Sequence, residues 1–178
     1  MNQETITRAD LAVERVVERA LQNGGGRPGQ HTLVMGGSAA ERRSVLDRIE
    51  AGLRHQSTGA APRIGRIGKR ADDAASDASE MWDDVAAAAS LNASENLHAS
   101  GFGKVQNAAG NGLFVAIIDD LDAVLRGWSD PGEALNLRWA LQNVNGLMVV
   151  AGAEGPVGED APHEHAILVM TFATQSIE

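Results

Sequence analysis

A chain of 178 residues, with 43% hydrophobic and 22% charged residues, fits one compact globular domain over residues 1–178. The lack of cysteine excludes disulfide frameworks, thiolate metal sites and thiol nucleophiles, and it suits a reducing cytoplasm. The net charge of −9 divides into +5 over residues 1–70 (12 Lys/Arg, 7 Asp/Glu) and −14 over residues 71–178 (3 and 17). Strong general nucleic-acid binding is therefore disfavoured, because only the first part offers basic charge.

The apolar runs of this chain are short. The longest, at residues 112–118 and 147–151, fall far below the roughly 20 residues that span a bilayer. Residues 1–10 are polar and include acids, whereas a signal peptide begins with positive charge and continues with an apolar run. The sequence therefore predicts a cytoplasmic protein without a membrane partner.

The chain begins with a predicted helix. Thr7-Arg8-Ala9-Asp10 has the form of a helix start with a capping acid, and apolar residues follow it at helical spacing. A helix is therefore predicted over residues 8–22. Residues 23–29 hold four Gly and one Pro, which end the helix. Residues 1–29 are expected to form an N-terminal helix and a Gly-rich turn.

A strand, a turn and a second helix are predicted next. Residues 31–35 are a short apolar run that ends at Gly36-Gly37-Ser38. Residues 39–55 carry their apolar side chains on one side of a helix. After a loop, residues 62–68 alternate imperfectly between arginine and isoleucine, which predicts an edge strand.

The middle of the chain holds the strongest strand pattern. Residues 77–91 predict a helix, and residues 92–112, rich in Ala, Asn, Ser and Gly, are either a helical extension or a flexible insertion. Residues 113–118 form a continuous apolar run that ends in Asp119-Asp120. Such a run is typical of a strand buried on both faces of a parallel sheet.

The last part predicts one more helix and two strands. Asp130-Pro131-Gly132-Glu133 supplies an N-cap, a proline at the first helical position and an acid, and the helix ends at Asn145-Gly146. Residues 147–151 predict a buried strand, residues 152–164 a polar loop, and residues 166–172 a final strand.

Strands that alternate with helices imply right-handed crossover connections. The predicted fold class is α/β, a three-layer sandwich with a mostly parallel sheet of about five strands. Ligands of such sheets bind beyond the carboxyl ends of the strands. Gly36-Gly37-Ser38 and Asp119-Asp120 both fall at such ends, so they are the candidate site.

The segment after the first strand partly matches a phosphate-binding loop. The pattern G-x-x-x-x-G-K-[ST] places backbone N–H groups, a lysine and a hydroxyl around the phosphates and Mg²⁺. Aligned from Gly37, this chain keeps Ser44 but has Arg42 for the second glycine and Arg43 for the lysine. The alternative is a plain strand-to-helix turn with Ser38 as N-cap and solvated arginines.

In element order and in these two motifs, the chain resembles the P-loop ATPases of the AAA+ and STAND superclass. The segment Phe114-Val115-Ala116-Ile117-Ile118-Asp119-Asp120 is similar to their Walker B strand. The resemblance implies that Asp119 and Ser44 hold Mg²⁺ and that Asp120 activates water. It also implies that Asp119 lies beside the glycine turn on a neighbouring strand. The residues it assigns to nucleotide are Gly36, Gly37, Ser38, Arg42, Arg43 and Ser44.

Several features depart from that family. A bulky arginine stands where phosphate approaches bare backbone, residues 151–153 (Ala-Gly-Ala) replace a polar sensor, and the chain ends after the fifth strand, without a lid. We therefore expect a degenerate ATPase domain that acts as a non-catalytic regulatory, scaffold or assembly subunit. Its cofactors are ATP and Mg²⁺ if any, and none if the loop binds no nucleotide. The alternatives are a functional ATPase in which Arg43 replaces lysine, and a nucleic-acid-binding accessory subunit.

Two further clusters of residues are candidate binding sites, one basic and one rich in histidine. Arg63, Arg66, Lys69 and Arg70 form a basic stretch without aromatic residues, which favours an acidic protein surface over nucleic acid. Residues 72–84 are acidic and are expected to form such a surface, so head-to-tail self-association that weakens with salt is expected. His163 and His165, near Glu159 and Asp160, could chelate a metal, although a loop with chance histidines explains them as well.

Overall fold

The computed structural model describes residues 7–22, 31–55, 61–68, 77–91, 100–155 and 163–177. Within these residues none of the helices is long and apolar enough to cross a membrane. The elements, in chain order, are α1 (Arg8–Gln22), β1 (Thr32–Met35), α2 (Ala39–His55), β2 (Arg63–Ile67), α3 (Ala78–Ala88), α4 (Gly101–Gly110), β3 (Phe114–Ile118), α5 (Leu121–Gly127), α6 (Gly132–Asn143), β4 (Leu147–Ala153), α7 (His163–Val169) and β5 (Ala173–Ser176).

The five strands form one parallel sheet in the order β2-β3-β4-β1-β5. The predicted α/β fold with a parallel sheet is confirmed, and β2 lies at an edge as expected. The expectation that Asp119 and the glycine turn follow neighbouring strands is wrong. Strand β4 lies between them, because Ala151 pairs with Ile118 on one side and with Leu33 on the other.

The sheet is covered on both faces, which makes the fold a three-layer sandwich. Alternate side chains of each strand enter two separate cores, as the two-residue period of a strand requires. One core lies under α1 and α2 and takes from the sheet Val34, Ile64, Val115, Ile117, Met148 and Val150. The other lies under α3 to α7 and takes Leu33, Phe114, Ala116, Ile118, Leu147, Val149, Ala151 and Ala153. Strands β3 and β4 are buried along their whole length, which explains their uninterrupted apolar sequences.

The C-terminal part differs from the prediction. The predicted strand over residues 166–172 is wrong, because residues 163–169 form α7 and the fifth strand is Ala173–Ser176. A short apolar run does not distinguish a strand from a buried helix, and β5 is polar because an edge strand does not need two apolar faces. Helix α5 was not predicted. Helix α6 begins at Gly132 with Pro131 at the N-cap, while Asp130 accepts a hydrogen bond from the Gly132 amide at 2.8 Å.

Part of the stretch at residues 92–112, for which a helix or a flexible insertion was expected, is helical. Residues 101–110 form α4, whose N-cap Ser100 accepts a hydrogen bond from the Gly103 amide. Residues 92–99, and the predicted turn at residues 23–29, lie outside the described residues.

A buried histidine at the start of β1 joins that strand to β4 and to helix α6. The Nε2 of His31 lies 2.7 Å from the Leu141 carbonyl oxygen, to which it donates, and its Nδ1 accepts from the Val149 amide at 3.0 Å. These partners require the neutral ring. Burial lowers the pKa of His31, and the bond to Leu141 only partly opposes that effect.

We expect the free energy of unfolding to fall as the pH drops from about 7 to about 5. The unfolded chain binds protons below about pH 6.5 while folded His31 does not, so the stabilisation present above that pH is lost on acidification, by up to about 1.4 kcal/mol per pH unit. Urea unfolding at several pH values measures this slope. The variant His31→Gln should flatten it, whereas the exposed His163→Gln should leave it unchanged. Equal slopes in both variants would contradict this assignment.

Candidate functional site

The turn between β1 and α2 is tight. Strand β1 ends at Met35 and α2 begins at Ala39, so three residues connect them. Gly36 and Gly37 have φ angles of 86° and 61°, which favour glycine over any other residue. The conformation is that of a short strand-to-helix turn. In the phosphate-binding pattern aligned from Gly37, the residues after Ser38 would belong to a loop around the phosphates, but here they already belong to α2.

A carboxylate of the chain itself occupies the start of α2. Glu41 Oε2 accepts hydrogen bonds from the Ser38 amide at 2.7 Å and the Ser38 hydroxyl at 2.8 Å, while the Glu41 amide donates to Ser38 Oγ at 3.2 Å. This is a capping box. The bonds from Ser38 lower the pKa of Glu41, so the group is ionised at neutral pH. A negative charge therefore lies on the amide where the N-terminus of this helix would attract an anion.

Arg42 closes the turn from the opposite side. Its side chain is buried, and one guanidinium nitrogen donates to the carbonyl oxygens of Gly36 at 3.2 Å and Gly37 at 2.7 Å. The carbonyls of the glycine turn thus bind a cation that belongs to the chain. Burial raises the pKa of the nearby Asp122, and the bond from the Glu154 amide (2.6 Å) and the charge of Arg42 oppose that rise in part.

Asp119 is bound by arginine. Its side chain is 8% exposed, and Oδ1 accepts from Arg66 Nε at 2.7 Å, while Oδ2 lies 3.5 Å from Arg43 Nε. The same Arg66 donates to Asp47 at 2.6 Å and to Glu50 at 2.9 Å. Burial alone would lower the pKa of Arg66, but the three carboxylates raise it overall. We name Arg66 with Asp47, Glu50 and Asp119 the Arg66 cluster. It joins β2, β3 and α2 at the carboxyl edge of the sheet.

The remaining candidate residues have other surroundings. Asp120 is the N-cap of α5, where its Oδ1 accepts from the Ala123 amide at 2.9 Å. Ser44 is exposed on α2, more than one helical turn beyond Ser38. The structure therefore brings together Gly36, Gly37, Ser38 and Arg42 at the turn, and Arg43 with Asp119. It does not bring Ser44 or the Asp120 carboxylate into these contacts.

The last residue but one of β4, Gly152, is glycine for a steric reason. A Cβ on Gly152 would lie 2.5 Å from the Asp119 carbonyl oxygen and 3.4 Å from Leu46 Cδ1. Real Cβ atoms do not approach a backbone oxygen so closely. Thus β3 and β4 pack too tightly at this point for a polar sensor side chain at residue 152.

The basic stretch and the histidine cluster predicted from the sequence are only partly within the described residues, and their described members do not form a common site. Arg63 is exposed at the start of β2, while Arg66 near its other end is bound in the Arg66 cluster. Lys69, Arg70, Glu159 and Asp160 lie outside the described residues. His163 and His165 lie on helix α7 rather than on an extended segment. In the part of the chain that the structure describes, no group of three or more His, Cys, Asp or Glu could hold a metal ion.

Comparison with known proteins gives a likeness in structure only. No family model matches the chain, and no curated protein matches it. Among solved structures, the Orc1 protein of Aeropyrum pernix in complex with DNA matches 98% of this chain, with 16% identity and a TM-score of 0.61. A Walker-type ATPase of Pyrococcus abyssi matches 99%, with 14% identity and a TM-score of 0.54.

The chain has the fold of the P-loop ATPases. It spans about half of the two solved chains, covering 46% of the Orc1 protein and 56% of the Walker-type ATPase. Two residues of the candidate site, Glu41 and Arg66, were not among the site residues predicted from the sequence. The spacing Ser38-Ala39-Ala40-Glu41 is a readable capping-box signal, whereas nothing in the sequence pairs Arg66 with Asp119, 53 residues away.

Proposed function

We propose that this chain is a degenerate P-loop ATPase domain that acts as a non-catalytic regulatory or scaffold subunit and binds nucleotide weakly or not at all. The observation that supports it best is the Glu41 carboxylate on the Ser38 amide at the start of α2. A phosphate group needs free N–H donors at this point. It would have to displace a resident anion whose carboxylate accepts two hydrogen bonds from Ser38.

The surroundings of Asp119 support the same proposal. A Walker B acid supports Mg²⁺ only if its carboxylate is free to bind the ion or its water, yet both oxygens of Asp119 face arginine. The Arg66 guanidinium thus occupies the position beside Asp119 that a Mg²⁺ ion would need. The residues present do not fit a Mg²⁺–triphosphate complex, and Ser44, the expected hydroxyl ligand, is exposed on α2.

One contact favours the alternative of a functional nucleotide site. Arg43 is 52% exposed and lies 3.5 Å from Asp119, so a cation does stand near the expected position of the Walker A lysine. Its planar guanidinium is a poor substitute for a compact ammonium at a triphosphate. The proposal therefore keeps weak binding as its expectation.

Isothermal calorimetry with Mg-ATP tests the proposal. We expect no resolvable binding, or binding near the millimolar limit, by the unaltered chain. Removing the resident anion with Glu41→Ala, together with Arg42→Gly and Arg43→Lys, should raise the affinity at least tenfold, which is about 1.4 kcal/mol. The matched control is Glu14→Ala, an exposed acid on α1, which should change nothing. Tight binding by the unaltered chain that Arg43→Ala abolishes would support a functional ATPase site instead.

A further inference from the structure

We propose that an aromatic surface on α4 and α6 is the docking site for a basic amphipathic helix of a partner protein. This surface, the α6 surface, consists of Phe102, Leu135 and Trp139. Leu135 is 43% exposed and Trp139 is 54% exposed, and their spacing of four residues places them on one side of α6. The proposal deepens the scaffold role and rests on it, because a non-catalytic subunit acts through the partners it holds.

The α6 surface is continuous and rests on a fixed base. The Phe102 ring lies 6.5 Å from the Trp139 ring in an edge-on arrangement, and 5.5 Å from the ring of buried Trp82. Aromatic pairs at these distances attract each other. The Trp139 indole is half exposed and packs against the Phe102 ring, so it has little conformational entropy to lose on binding, which is a property of interface hot spots.

The helices beneath the α6 surface are held in position by side-chain caps. The Asp83 carboxylate accepts from the Gly101 amide at 2.6 Å, which fixes the start of α4 against α3. Glu133 accepts from the Ala78 amide at 3.2 Å, which fixes the start of α3 against α6. A Cβ on Gly101 would lie 2.4 Å from the Asp83 backbone, so α3 and α4 are in close contact there. The surface is therefore present before any partner arrives.

Charge indicates the chemistry of the partner. Helices α3, α4 and α6 with their flanking residues carry two cations, Lys104 and Arg138, against six acids: Asp77, Glu80, Asp83, Asp84, Asp130 and Glu133. Nucleic acids and anionic membranes are repelled by this layer, whereas a cationic partner is attracted. Lysine or arginine also binds favourably over an exposed indole. A partner helix with apolar side chains four residues apart would match the spacing of Leu135 and Trp139.

A labelled peptide tests the proposal without nucleotide. The probe is an 18-residue amphipathic helix with leucine on one face and lysine on the other, and its binding to the full chain is followed by fluorescence anisotropy. We expect saturable binding that weakens as salt rises, a loss of at least tenfold in Trp139→Ala, and a loss of a few-fold in Asp84→Asn. The matched control is Leu11→Ala, which removes another exposed apolar side chain (37%) from α1 on the opposite layer and should have no effect.

Four results would overturn the proposal. These are no binding by the unaltered chain, equal binding by Trp139→Ala, equal binding of a peptide with glutamate in place of lysine, and self-association of the unaltered chain that Trp139→Ala abolishes. The last would make a second copy the occupant. Circular dichroism shows whether Trp139→Ala keeps its fold, and Leu135→Ala provides a second test of the same surface. Because no nucleotide is present, the calorimetric result for Mg-ATP can fail or succeed independently.

Discussion

Replacing Arg66 with methionine should lower the free energy of unfolding by about 2–3 kcal/mol near neutral pH. The change leaves Asp119, 8% exposed, and Glu50, 19% exposed, beside each other without their shared cation. Breaking a fully buried pair in this way costs about 3–5 kcal/mol. We expect less here, because Asp47 is 60% exposed and Arg43 and Arg54 remain nearby to screen the charges.

The pH dependence gives this prediction a second readout. Burial alone would raise the pKa of Glu50, but bonds from Arg54 and Arg66 lower it overall, so in the unaltered chain the stabilisation is present above the unfolded pKa and is lost on acidification. Arg66→Met should lose less stability between pH 7 and pH 4, because Glu50 without Arg66 accepts a proton more readily. The two curves of unfolding free energy should therefore converge at low pH.

The control for Arg66→Met comes from the same strand. Arg63 is exposed at the start of β2, so Arg63→Met should change the free energy of unfolding by no more than about 0.5 kcal/mol. Urea unfolding of both variants at pH 7 and pH 4 makes the comparison. If the two variants lost equal stability at pH 7, the Arg66 cluster would contribute nothing, and its place in the proposed function would have to be given up.

Adding a single methyl group at Gly152 should cost about 2–3 kcal/mol. Its Cβ would lie 2.5 Å from the Asp119 carbonyl oxygen, a backbone atom that cannot move away without disturbing the pairing of β3 and β4. Overpacking of this kind costs about 1–3 kcal/mol. For a chain of this size, the midpoint of thermal unfolding should fall by roughly 4–12 °C.

The same substitution at Gly110 should have the opposite sign. Gly110 is the last residue of α4, and a Cβ there has nothing within 4 Å. Alanine should stabilise the helix by about 0.5 kcal/mol, because it restricts the unfolded chain more than glycine does. Differential scanning calorimetry of the pair separates the steric effect from the general effect of losing a glycine. A Gly152→Ala protein as stable as the unaltered chain would show that a side chain fits at the sensor position.

The sequence predicted the sheet better than it predicted the site. The long apolar runs of β3 and β4 identify strands buried on both faces, and this property alone indicates a parallel sheet. The order of the strands is not encoded in any local pattern, so the position of β4 between β1 and β3 could not be derived from it. For the same reason the contact of Arg66 with Asp119 was missed, since it depends on the pairing of β2 with β3.

Errors near the site have local causes. The run at residues 166–169 is apolar enough for a strand or a buried helix, and only its packing against α6 decides for the helix. Helix α2 begins at Ala39, as the pattern of residues 39–55 predicted, and its capping box of Ser38 and Glu41 leaves no long loop for the motif alignment from Gly37. Local capping chemistry therefore prevailed over a distant motif likeness.

The position of β1 in the sheet sets an order of events during synthesis. Its partners are β4 and β5, and His31 at its start meets Val149, 118 residues further along the chain. Strands β2, β3 and β4 follow one another in sequence and in space, so they can pair as the nascent chain emerges. Helices α1 and α2 leave the ribosome before β3 and β4, yet the face of the sheet that they cover is incomplete until β4 has been made. Their apolar sides, with Val16, Leu46 and Ile49, are consequently the surface that a chaperone would meet on the unfinished protein.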